Sequence, residues 1–188
     1  MDDTKYWNTF YENNKELSNC SSFCNFIIDF FKDKNIKNIL DAGCGNGRDS
    51  YVLCNKYNVV GVDNCGIELN NCNNFVFKNE SFVDNNKDDY DLIYSRFTFH
   101  SISNNDQDLF LQSIKKNTYL AIEARSIKSM NINHHYGTDH YRNYIDIKQL
   151  EQQLIKYNFK ILFMAEDKDF AIYKDENPIC VRVICLKM

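Results

Sequence analysis

The sequence predicts an α/β domain: a mostly parallel, seven-stranded sheet with a C-terminal antiparallel hairpin and a reduced set of helices on one face. Three observations carry that prediction. Short apolar strands alternate with helical stretches along the 188 residues. One strand runs into Gly43-Cys44-Gly45-Asn46-Gly47 and then into a helix. The last two apolar segments have no helix between them.

The elements follow in order. Tyr6 to Phe10 and Phe23 to Phe31 carry apolar residues at three- and four-residue spacing, and Ser21 or Ser22 is placed to cap the second helix. Asn38 to Ala42 is an apolar strand, and a helix is expected from about Arg48 to Lys56. Val59 to Val62 is the next strand, closed by Asp63, and Phe75 to Phe77 is the third. Asp91 to Ser95 forms the fourth strand, Asp106 to Lys116 an amphipathic helix, and Thr118 to Ala124 the fifth strand. Asp146 caps a helix to about Tyr157; strands follow near Ile161 to Ala165 and Val181 to Leu186. Phe170 to Tyr173 reads as a further strand, with a wall of the ligand pocket as the alternative. The links between the second, third and fourth strands are too short for full helices, hence the thin cover on one face.

This length suits a single domain over residues 1–188. Hydrophobic residues at 44 % support a sizeable core. A net charge of −4 argues against a large nucleic-acid footprint. No apolar run reaches the roughly 20 residues of a membrane helix, and the start lacks a signal-peptide pattern. The 8 cysteines show no C-x-x-C pair, so they read as reduced thiols of a cytoplasmic protein.

The glycine turn is the most informative feature. In an open α/β sheet, ligands sit at the carboxyl ends of the strands, where glycine lets the backbone approach and helix amides meet a carboxylate. The spacing is G-x-G-x-G; Arg48 stands where a dinucleotide fold needs its third glycine, and no Walker lysine follows. Asp41 puts a carboxylate beside a cationic ligand group, and Asp63 is placed for ribose hydroxyls. Together these specify an adenosine with an amino-acid tail.

Asp41 to Gly47 resembles the first motif of class I S-adenosylmethionine-dependent methyltransferases, and Gly61-Val62-Asp63 resembles the second. Asn79 to Phe82 falls where that family contacts adenine, and Asp89 to Ser95 resembles its fourth motif. The chain is most similar to compact small-molecule members of the tellurite-resistance and surface-glycan-biosynthesis kind. The resemblance implies a Rossmann-like methyltransferase fold with S-adenosylmethionine as cofactor and S-adenosylhomocysteine as product. It implies that Gly43 and Gly45 line the methionine part, with Gly47 also among the cofactor-binding residues, and that Asp41 faces the amino group, directly or through water. Asp63 would hold the ribose, with Asn64 beside the adenine; Ser81 and Phe82 would bracket the adenine edge, and Ser95 would pass under the sulfonium. Residues 1–35, with Tyr6, Trp7 and Tyr11, would form a helical lid over the cofactor.

The acceptor is expected over the ends of the fourth and fifth strands. Arg96, His100, Arg125, His140 and Arg142 fall there or in the polar insertion 126–145, and a cation cluster in an acidic chain suits an anionic, phosphoryl- or carboxyl-bearing small molecule. An anionic oxygen needs only positioning; a hydroxyl or amine needs a base, for which His100 or His140 is placed first and Glu123 second. A zinc site at His134, His135 and His140 is not expected, since no cysteine lies nearby and methyl transfer needs no metal. The fourth strand lacks the Asn-Pro-Pro-Tyr type motif of base methylation. A catalytically silent cofactor-binding subunit and a nucleic-acid or protein methyltransferase remain as alternatives; no membrane partner is expected.

Overall fold

A computed structural model describes residues 3–13, 19–130, 140–173 and 176–188. Its elements are α1 (Thr4–Asn13), α2 (Ser22–Phe30), β1 (Asn38–Ala42), α3 (Ser50–Leu53), β2 (Asn58–Asp63), β3 (Phe75–Asn79), β4 (Leu92–Arg96), α4 (Asn104–Gln112), β5 (Tyr119–Arg125), α5 (Ile147–Lys156), β6 (Phe159–Asp167) and β7 (Cys180–Lys187). The seven strands form one sheet in the order β3-β2-β1-β4-β5-β7-β6. The first five run parallel, and β7 lies antiparallel between β5 and β6.

The central strands are apolar on both faces, as a sheet covered on both sides requires. β1 buries four of its five residues, and β5 six of its seven. One face packs on α2 through Phe23, Cys24 and Ile27 and on Leu53 of α3. The other packs on Phe110 and Leu111 of α4 and Leu150 and Leu154 of α5. Leu150 and Leu154 sit one helical turn apart, and burying each contributes roughly 1.5–3 kcal/mol.

The caps follow the sequence. Ser21 Oγ accepts from the Cys24 amide, and Asp146 accepts from the Lys148 and Gln149 amides. Three expectations change. The helix after the glycine turn is four residues long, and Asp49 at its start turns its carboxylate to Ser21 instead of capping it. Phe170 to Tyr173 is no sheet strand; Tyr173 makes only an isolated bridge to Glu176. Within 1–35, only α1 has no buried residue and lies over the surface, whereas α2 is core. Asp3 of the α1 approach accepts from the Tyr141 amide at 2.7 Å, and Asn8 accepts from the Gly66 amide at 2.6 Å. The helix thus bridges the loop after β2 to the segment before α5. Among the described residues no helix is long and apolar enough to cross a membrane.

Candidate active site

A cavity of about 730 Å³ opens at the carboxyl ends of β1, β2, β4 and β5, a size that suits a small-molecule site. Its cofactor half is built by the glycine turn. Gly43, Gly45 and Gly47 all take positive φ, at 80°, 52° and 75°. The Gly43 and Cys44 amides both donate to the Val62 carbonyl, which pins the turn to the end of β2. Asp63 adds a second tie: its Oδ2 accepts from the Gly45 amide at 2.8 Å and its Oδ1 from the Cys65 amide at 3.0 Å.

Asp41 lies 3 % exposed at the end of β1 and accepts from Ser50 Oγ at 2.6 Å. Burial pushes its carboxyl up to about 7, aided by the Asp49 and Asp63 charges and opposed by the Ser50 hydrogen bond. Asp49 is buried too, but there the balance reverses. Burial raises it; the Arg96 and Arg48 charges and the Ser21 hydrogen bonds outweigh burial and hold it below the usual carboxylate range. Tyr94 donates to Asp49 at 2.6 Å.

A row of alternating charges crosses the strand ends. Register places Arg96 of β4 opposite Glu123 of β5, and Glu123 opposite Arg182 of β7. Arg96 Nε lies 2.9 Å from Glu123 Oε1, and Arg182 Nε lies 2.7 Å from Oε2. Arg96 also lies 4.0 Å from Asp49 Oδ2. Arg182 continues to Ser22 Oγ and the Phe170 carbonyl, both at 2.7 Å.

Beside this row, Phe97 holds a φ of 59°, a left-handed conformation that costs a side chain about 1–3 kcal/mol. Its ring lies 4.5 Å from the Arg96 guanidinium and 5.4 Å from that of Arg125. Arg125 pairs with Glu176 at 2.5 Å. His100 is buried; its Nδ1 accepts from the Arg125 amide at 3.3 Å, and its carbonyl accepts from the Asn143 amide. His140 packs against Tyr6 and Trp7, with ring centroids 4.3 and 4.8 Å apart.

The sequence matches the family model described as a methyltransferase domain over residues 18–162. The chain belongs to the methyltransferase-domain family. Solved structures agree on the fold. An S-adenosylmethionine-dependent methyltransferase from Anabaena variabilis superposes with a TM-score of 0.74 at 14 % identity, covering 100 % of this chain and 96 % of that one. One from Methanosarcina mazei gives 0.68 at 16 %, covering 86 % and 97 %. The 1,6-didemethyltoxoflavin-N1-methyltransferase of Burkholderia thailandensis, with 1,6-didemethyltoxoflavin and S-adenosylhomocysteine bound, gives 0.72 at 13 %, covering 98 % and 87 %. No curated protein matches the sequence.

The methyltransferase brings most of the expected residues to one cavity. Asp41, Gly43, Asp63, Asn64, Phe82 and Tyr11 line it around the glycine turn. Arg96, His100, Arg125, His140 and Arg142 line it beyond the ends of β4 and β5. Five residues are set back from the wall. Gly45 faces the Tyr11 hydroxyl, and Gly47 faces Leu69 and Tyr51. Ser81 accepts from the Val83 amide in its own loop. Ser95 gives its hydroxyl to Thr98, and Thr98, which also donates to the Ala42 carbonyl, takes the cavity wall instead. Glu123 sits behind Arg96, with each oxygen held by a guanidinium; this removes it from a base's role. His100 has its Nδ1 tied to the main chain, where it accepts from the Arg125 amide, so that nitrogen carries no proton.

The sequence pattern does not mark Asp49, Tyr94, Phe97, Thr98 or Glu176, which also line the cavity. His134 and His135 lie outside the described residues; among the described ones no group of three His, Cys, Asp or Glu is arranged for a metal.

Proposed function

We propose that this methyltransferase transfers the methyl group of S-adenosylmethionine to a small acceptor bearing a phosphoryl or carboxyl group, in the cytoplasm. One observation carries the reading: three guanidiniums, of Arg96, Arg125 and Arg142, line the same cavity as the glycine turn and its acids. The residues fit the cofactor. Gly43 lets the main-chain turn pack against Thr98 at the cavity wall, Asp41 and Asp63 supply two carboxylates, and the aromatic rings of α1 line the cavity. Bound there, the sulfonium supplies an electrophilic methyl group. The protein then has to orient the acceptor and keep water out. Arg125 and Arg142 hold the acceptor's anionic end, and Tyr6, Trp7 and Phe10 exclude solvent. An anionic oxygen arrives already deprotonated, so this chemistry needs no general base.

Transfer of tritiated methyl groups to a panel of carboxylates, phosphorylated metabolites, amines and neutral alcohols tests the reading. Label is expected in methyl esters of the anionic members. Label confined to amines or neutral alcohols refutes it.

Asp41 gives a pH prediction. Its ionised form favours the cationic amino group of the cofactor, so binding releases a proton wherever Asp41 is protonated in the free protein. Affinity for S-adenosylhomocysteine should therefore rise with pH, by up to about tenfold per unit, and level off above about 7. The effect on folding has the opposite sign. A carboxyl raised above its ordinary 3.8 stabilises the free protein most below that value and loses this contribution as pH rises through about 7. Calorimetric titration with S-adenosylhomocysteine from acidic to mildly alkaline pH checks the slope. A flat profile would remove Asp41 from the cofactor's amino group.

A further inference from the structure

One residue on the cavity wall breaks a pattern that the rest of the chain keeps. Among the described residues, four other than glycine take positive φ: Phe97, Asn117, Asn158 and Asp169. Asparagine and aspartate enter this left-handed region at low cost, because a short polar side chain can bond its own backbone. Phe97 has no such relief, and it is the one of the four that lines the cavity. The bend itself serves the fold. Phe97 donates its amide to the Glu123 carbonyl at 2.8 Å, and the chain then turns so that Thr98 reaches the Ala42 carbonyl. Glycine would make that bend without strain, so the phenyl ring needs an account of its own.

The hydrophobic core does not supply one. Phe97 is half-buried and belongs to neither apolar cluster that packs the two faces of the sheet. Its ring meets the His100 imidazole, with centroids 5.6 Å apart, and two cations, the Arg96 guanidinium at 4.5 Å and that of Arg125 at 5.4 Å. These cations come from two strands, β4 and β5, and an acid ties each of them, Glu123 for Arg96 and Glu176 for Arg125. An acid fixes one edge of a guanidinium; a ring beneath its plane restrains the tilt. Cation–π attraction uses no N–H donor, so the ring adds restraint without taking a hydrogen bond that a ligand oxygen needs. It also offsets part of the repulsion between two like charges gathered at one point.

We propose that Phe97 is a positioning residue for the acceptor: its ring, held out by a strained backbone, orients the Arg96 and Arg125 guanidiniums toward the acceptor's anionic group. The proposal rests on the anionic-acceptor reading. Strain of this kind persists where the surrounding structure over-determines it and the site uses it. A glycine at this position would relieve the backbone and release the two guanidiniums.

Acetate and methyl phosphate serve as probes for a carboxyl and a phosphoryl group. NMR titration measures their binding to protein saturated with S-adenosylhomocysteine, which keeps them off the site of the cofactor's own carboxylate. The wild type is compared with Phe97→Gly, Phe97→Leu and Phe97→Tyr, and each protein is also melted. The wild type is expected to bind at least one probe. Phe97→Leu keeps the bulk and the strain but has no ring, and should weaken that probe at least about fivefold. Phe97→Tyr keeps the ring and should stay within about twofold of the wild type. Phe97→Gly should also weaken the probe at least about fivefold, while its melting temperature does not fall, since the backbone is relieved. A side chain that only packs would do the reverse. Equal affinities in the leucine and tyrosine proteins, or a glycine variant that melts lower yet binds the probe as the wild type does, overturns the proposal and leaves the anionic-acceptor reading standing. Binding of neither probe to the wild type overturns both. Should Phe97→Gly fail to fold, the comparison of leucine with tyrosine decides the matter.

Discussion

Glu123→Ala is expected to destabilise the methyltransferase by about 3–5 kcal/mol, the largest stability loss of any single substitution considered. Glu123 is 0 % exposed and holds Arg96 through one oxygen and Arg182 through the other. Removing it leaves two guanidiniums facing each other behind the strand ends, with Arg182 itself only 6 % exposed. The penalty is that of a buried charge losing its counter-charge at Arg182, which keeps Ser22 Oγ and the Phe170 carbonyl, whereas Arg96 keeps Asp49 at 4.0 Å; it exceeds the modest net value of a hydrogen bond. Cross-strand register makes the damage cooperative, since β4, β5 and β7 each contribute one member of the row. For a chain of this size each kcal/mol lowers the melting temperature by about 2–4 °C, so a fall of roughly 10 °C is expected. Glu123→Gln keeps the shape and loses only the charge, and should fall between wild type and alanine. Urea or thermal melts of the three proteins measure it. A loss under about 1 kcal/mol for the alanine variant would place the row among surface-like pairs of little worth.

The same row shows how far the sequence could be read. Its strands were legible because each is a short apolar run, and the ligand end was legible because glycine spacing and two acids lie within one βαβ unit. Arg182 had a faint signal: it is the single charge inside the apolar run Val181 to Leu186. Its partner could not be named without the antiparallel register of β7 on β5. Glu176 had no signal, because its meaning comes from Arg125, a residue far away in sequence. Asp49 reads as part of the first turn of a helix; tertiary contacts to Ser21, Tyr94 and Arg96 make it a buried hub instead. Ser95 is placed by the family resemblance and Glu123 by its position after the fifth strand; both fix the height of a residue in the sheet but not what stands in front of it. Thr98 stands before Ser95, and Arg96 before Glu123.

Gly43→Ala is expected to abolish measurable cofactor binding, a loss of at least about hundredfold, or roughly 2.7 kcal/mol, and to lower stability as well. Two independent costs meet at this position. A φ of 80° is one that a side chain rarely adopts, and forcing it costs about 1–3 kcal/mol. An added Cβ would also lie 2.2 Å from Thr98 Cγ2 and 2.9 Å from Thr98 Cβ. Thr98 cannot swing away cheaply, because its hydroxyl is bound to the Ala42 carbonyl and to Ser95. The relief must come from the turn itself, and that turn is what presents the Gly43 and Cys44 amides to Val62 and sets the cavity floor. Gly45→Ala is the informative contrast. Its Cβ would meet the Tyr11 hydroxyl at 2.1 Å, the far end of a side chain on an unburied helix. There Tyr11 on α1 can yield, but the φ of 52° still carries a backbone cost for alanine, so cofactor affinity and the melting temperature should both fall, each less than in Gly43→Ala. Calorimetry with S-adenosylhomocysteine and melting curves of both variants distinguish the turn from α1. Equal losses in the two would mean that α1, rather than the main-chain turn, carries most of the cofactor's binding.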